Sequence, residues 1–79
     1  MMKRLNYVRV SDSIRISRET SGVTQAQVAD ALGISTGAVS MIEAGYIKKP
    51  DYLIWYILTF DIGPDEMKGW WEEWGDFDG

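Results

Sequence analysis

Between Thr24 and Gly45 the apolar positions fall into two short groups, and the rest of the chain is organised around them. Val28, Ala29 and Leu32 share one helical face at i, i+1 and i+4, with Ala26 and Ala31 small enough for close helix contact. Gly33 follows, a residue that tolerates the left-handed conformation with which helices end. After Ile34, Ser35 can cap the first amides of a second helix. That helix turns Ala38, Val39 and Ile42 inward at the same spacing and stops at Gly45. Two helices joined by a three-residue turn that begins with glycine form a helix-turn-helix unit. Neither helix can bury its stripe by itself, so the flanking segments must supply the lid.

The same patterning predicts the flanking elements. Helix one starts after Ser11 or Asp12, either of which can cap it, carries Ile14 and Ile16, and ends near Thr20 before Ser21-Gly22. The two helices of the central unit span about Gln25 to Leu32, with Thr24 as N-cap, and about Thr36 to Ala44. Helix four runs from about Asp51 to Phe60, its first turn preset by Pro50. Leu53, Ile54, Ile57 and Leu58 form its core-facing stripe, with Tyr52, Trp55 and Tyr56 partly outside it. After the break at Asp61-Ile62-Gly63-Pro64, helix five extends to Trp74. Met67, Trp70, Trp71 and Trp74 lie on one of its faces, opposite Asp65, Glu66, Lys68, Glu72 and Glu73. Residues 1–10 read either as a short strand or as the entry to helix one, and Lys3 and Arg4 either as a basic arm for a DNA backbone or as a solvated terminus. The expected fold class is all-α: one five-helix domain over residues 1–79, with a short extended N-terminal arm and a tryptophan-rich acidic segment at 64–79 that ends in a frayed tail at 75–79.

Several runs are similar to the lambda-repressor/Cro (Xre-like) helix-turn-helix family. They are Thr24-Gln25, the octet Val28 to Ser35 (VADALGIS), the VS-x-IE-x-G of Val39 to Gly45 and the K-x-P of Lys48 to Pro50. Upstream, the IR-x-x-R of Ile14 to Arg18 and Gly22 complete a resemblance covering about Ile14 to Met67. It implies that Arg18 and Glu43 form a largely buried ion pair joining helix one to the recognition helix. It also implies that Thr36, Gly37 and Met41 face bases, with Ser40 beside them. Thr24, Gln25, Ser35, Lys48 and Lys49 would meet phosphates. Read as residues alone, Gln25 and the two lysines have the alternative of ordinary solvated side chains, though their place beside the recognition helix favours phosphate contact.

The base-facing set is chemically sparse. It lacks the Arg, Asn and Gln side chains whose bidentate bonds discriminate bases by roughly 1–3 kcal/mol each. Thr36 and Ser40 can make one or two hydrogen bonds, the Thr36 methyl and Met41 can pack on thymine methyls, and Gly37 allows close approach. Specificity would then rest partly on DNA shape and half-site spacing.

Composition changes this picture in two ways. First, the chain has no cysteine and no histidine, which removes a disulfide framework and the usual transition-metal ligands. Neither a catalytic constellation nor a phosphate-cradling glycine loop is visible, so neither enzyme nor cofactor is expected. No apolar run approaches the roughly 20 residues of a membrane span, and the N-terminus does not read as a signal peptide, so a cytoplasmic protein is expected. Second, the net charge of −4 is unevenly divided. Residues 1–60 hold seven basic against five acidic groups, whereas residues 61–79 hold Lys68 against seven carboxylates. Two faces of opposite sign are expected.

Two functions compete. One is a Cro-type repressor, phage or bacterial, that binds double-stranded DNA as a homodimer, with Met67, Trp70, Trp71 and Trp74 either packed within the chain or forming the dimer interface. The other is a protein-interaction module on the same scaffold, antitoxin-like or inhibitory. Its acidic tryptophan-rich end would take a basic protein partner.

Overall fold

The computed structural model describes residues 2–74, the side chain of Trp74 excepted. The expected frayed tail at 75–79 lies outside the described residues, as does any side-chain role of Trp74. The order is β1 (Met2–Leu5), α1 (Tyr7–Thr20), α2 (Gln25–Leu32), α3 (Thr36–Glu43), α4 (Pro50–Thr59), α5 (Pro64–Lys68) and β2 (Trp71–Trp74). The fold is therefore mostly helical, as expected, with a small two-stranded sheet added. No helix among the described residues is long and apolar enough to cross a membrane.

The core gathers Val10 and Ile14 from α1, Val28 and Ala29 from α2, Val39 and Ile42 from α3, and Tyr56 from α4, closed by Ile62 and Trp70. Gly33 ends α2 at φ +69°, the left-handed position that glycine adopts without steric cost. Gly45, at φ +85°, is constrained twice over, because a Cβ there would stand 3.3 Å from Ser11 Oγ. Only glycine lets the chain leave α3 this close to α1.

Three sequence expectations need correction. Helix one begins at Tyr7, ahead of Ser11 and Asp12. Asn6 is its N-cap, and its Oδ1 accepts from the amides of Val8 (3.0 Å) and Arg9 (3.3 Å). Ser11 lies within the helix and donates its hydroxyl to the Tyr7 carbonyl one turn back, the usual solution for a serine inside a helix. Residues 1–10 thus hold both a strand and a helix entry.

The second correction concerns α4. Its buried face centres on Tyr56, which is fully buried, whereas Ile54 and Leu58 point outward at 53% and 76% exposure. The helix is apolar nearly all round, so periodicity could not select the face. Tertiary contacts selected it.

The third concerns helix five, which stops at Lys68. Gly69 caps it, and Trp71–Trp74 pairs antiparallel with β1 in the register Met2↔Trp74, Lys3↔Glu73, Arg4↔Glu72 and Leu5↔Trp71. Trp-Glu-Glu-Trp supports either conformation. The strand wins because glycine interrupts the helix and the distant N-terminus offers a ladder of backbone bonds. Around the ribbon the two ends of the chain are stitched together. The Asn6 amide donates to the Trp70 carbonyl (2.7 Å), and Arg4 Nε and Asn6 Nδ2 each hold one oxygen of the Glu72 carboxylate, at 2.9 and 3.0 Å. The Arg4 bond is the main cause, and the Asn6 bond the second, that holds the Glu72 carboxyl below its ordinary pKa. Nearby, Ser13 Oγ donates to Glu66 Oε1 at 2.7 Å. The expected separation of a basic from an acidic face therefore fails in the ribbon, where the charges alternate across the strands.

Candidate nucleic-acid interface

The interface is built on α2 and α3, the most closely packed pair of helices in the domain. Thr24 and Gln27 form a reciprocal capping box. Thr24 Oγ1 accepts from the Gln27 amide (3.1 Å), and Gln27 Oε1 accepts from the Thr24 amide (2.9 Å). At the next helix, Ser35 Oγ accepts from the Ala38 amide (3.1 Å). Both hydroxyls are thus committed to their helix starts, fixing the orientation of the two N-termini.

Along α3, Val39 and Ile42 are buried, while Thr36, Gly37, Ser40 and Met41 are exposed together on the outer side. Around Gly37 nothing crowds a built Cβ more closely than Ser35 Oγ at 3.9 Å, so packing within the chain does not require glycine there. Beyond α3, the loop to α4 carries exposed Lys48 and Lys49. Their ammonium groups sit over aromatic rings, Lys48 Nζ 4.8 Å from the centre of Tyr7 and Lys49 Nζ 5.2 Å from that of Tyr52. Cation–π contact of this kind holds a lysine in place while leaving its charge in solvent.

What fixes α3 relative to α1 is a buried polar cluster. Arg18 grips Glu43 bidentately, Nε to Oε2 at 2.7 Å and Nη2 to Oε1 at 2.9 Å, and Nη1 donates to the Val23 carbonyl at 2.8 Å. Gln25 Nε2 adds a bond to Glu43 Oε1 (3.2 Å), and Tyr56 Oη one to Oε2 (2.6 Å). One carboxylate therefore ties α1, α2, α3 and α4 together. Burial by itself would raise the Glu43 pKa, but the bonds from Arg18, Tyr56 and Gln25 more than offset it and hold the carboxyl below its ordinary value. The same bond to Glu43 is the main cause that raises the Arg18 guanidinium, against the opposing effect of burial. Burial first, and the bond to Glu43 second, push the Tyr56 hydroxyl up.

Arg18 and Glu43 are therefore paired as the resemblance implied. Gln25, expected at a phosphate, has its amide on Glu43. Tyr56 was missed as a member of the cluster because a tyrosine in an apolar helix carries no sequence mark of a buried partner. Its hydroxyl supplies a bond that Phe lacks, so Tyr56→Phe should lower stability by about 1–3 kcal/mol, read as a shift in denaturant midpoint at constant slope.

The chain from residue 14 to residue 66 matches the family described as Helix-turn-helix (HTH_3). It belongs to the Cro/CI/Xre-type helix-turn-helix family. No curated protein and no solved structure matches it. The match covers the second half of α1, all of α2 to α4 and the start of α5, and the β1/β2 ribbon lies outside it. The family comprises DNA-binding regulators, and the chain is one of them.

Of the residues expected to form a tryptophan-rich face, Met67, Trp70 and Trp71 do not share one face. Trp70 is 4% exposed inside the core, Met67 packs half-buried against that core, and Trp71 lies on β2 at 45% exposure. Trp70 is thus unavailable to a partner.

Proposed function

We propose that the protein is a repressor of the Cro type that occupies an operator in double-stranded DNA as a homodimer. The observation that carries this reading is the arrangement around α3. Thr36, Ser40 and Met41 stand exposed on a helix locked from behind by the Arg18–Glu43 cluster, with Lys48 and Lys49 held at its far end. In this reading α3 enters the major groove, the lysines and the capped N-termini of α2 and α3 meet phosphates, and Gly37 lets the backbone approach the bases. Two copies would place their α3 helices about 34 Å apart on successive grooves. The exposed pair Ile54 and Leu58, one turn apart on α4, offers apolar surface for that association.

Selection from random duplex DNA tests the reading, and a two-fold-symmetric site should be enriched. Thr36→Ala/Met41→Ala should abolish the enrichment. Lys48→Ala should weaken binding to all sequences alike and flatten the dependence of log affinity on log salt by about one. Retention without any sequence enrichment would argue against an operator. Salt-insensitive binding would remove the lysines from the interface.

A further inference from the structure

The loop that carries Lys48 and Lys49 also forms one wall of an apolar depression. Val10 and Ile14 of α1, Ile42 of α3 and Leu53 of α4 line it, and the two lysines stand at its rim. It is shallow and open on one side, and so suits one apolar side chain better than a larger molecule. Among the described residues no carboxylate lines it. Its chemistry therefore selects an apolar group with negative charge on both sides. The chain contains one such group: Phe77, between Asp76 and Asp78, is its only apolar residue with a carboxylate on each side.

We infer that this depression is a docking site for the Asp76-Phe77-Asp78 segment of a second copy of the chain, the ring entering between α1 and α4 and the carboxylates meeting Lys48 and Lys49. Strand register favours a second copy over the same chain. Trp74 pairs with Met2, five residues from Tyr7 at the pocket, or about 16 Å at the rise of a strand. Residues 75–77 span about 10 Å at full stretch, short of that distance. The consequence for DNA rests on the DNA-binding function proposed above. The docked segment and a phosphate would compete for the same two ammonium groups, so self-association would loosen DNA.

The test uses the full-length chain and methyl resonances of Ile14, Ile42 and Leu53. In the parent these should shift on dilution, and in Phe77→Ala they should not. Adding the peptide Gly-Asp-Phe-Asp-Gly to Phe77→Ala should restore the shifts in a saturable way, several-fold more weakly in Lys48→Ala/Lys49→Ala, and the peptide with Ala in place of Phe should fail. Absence of shifts at millimolar peptide would overturn the site, and so would equal effects of the Phe and Ala peptides. Shifts that Phe77→Ala abolishes but that do not depend on concentration would assign the pocket to the chain's own segment and overturn the second-copy assignment. In a DNA assay, Phe77→Ala should bind several-fold more tightly than the parent at high protein concentration. Failure of every variant to bind DNA would sink the DNA-binding reading while leaving the methyl titration intact.

Discussion

Arg18→Ala should lower stability by about 3–5 kcal/mol, because it leaves the Glu43 carboxylate buried without its counter-charge. In a domain of this size that corresponds to a fall in Tm of at least about 12 °C, measurable by calorimetry or circular dichroism. The large effect is the penalty of a stranded charge, which is distinct from the net worth of the pair. Replacing the cluster together, as Arg18→Met/Glu43→Leu/Tyr56→Phe, should therefore recover much of the loss. A melting temperature for Arg18→Ala within about 2 °C of the parent, under roughly 0.5 kcal/mol by the same conversion, would show that Glu43 is not held as a buried anion. The pH dependence follows from the same carboxylate. Its folded-state pKa lies below its unfolded value, so its contribution is complete above about pH 4.3 and drains away as pH falls through the lower folded value. Glu43→Gln should lose that part of the acid limb.

Trp70→Ala should cost about 3–5 kcal/mol, the usual range for emptying a buried aromatic position, and should free the β1/β2 ribbon from the helices. The residue anchors the turn between α5 and β2, and its carbonyl takes the Asn6 amide. Trp70→Phe should cost distinctly less. The indole Nε1 is buried without a hydrogen-bond partner among the described residues, and its removal relieves an unmet desolvation cost that offsets part of the lost packing. Denaturation at two protein concentrations checks the assignment to the core. The midpoint of Trp70→Ala should fall equally at both. A loss confined to high concentration would place the indole in an interface between copies instead.

The helical unit was largely legible because its signals are local. The i, i+1, i+4 sets of α2 and α3, Thr24 and Ser35 as caps, and Gly33 and Gly45 as stops each act within one or two turns, and the structure keeps all of them. Helix one was misplaced at its start because Asn6, Ser11 and Asp12 are all acceptable caps. The choice fell to Asn6, whose amide and side chain are tied to Trp70 and Glu72 more than 60 positions away. Tyr56 and the exposed Ile54–Leu58 edge were misread for a related reason: in a helix apolar on every side, the buried face is chosen by its neighbours.

By itself the sequence determined the number and order of the helices and the central turn, because spacing and capping chemistry act at short range, while the pairing of Arg18 with Glu43 was legible only through the family resemblance. Tertiary structure decided the rest. It turned Trp71–Trp74 from a helical face into a strand, drew Trp70 into the core, set Glu72 against Arg4, and placed Tyr56 and Gln25 on the Glu43 carboxylate. Each of these depends on residues far apart in sequence meeting across the core, where backbone pairing and burial outweigh local preference.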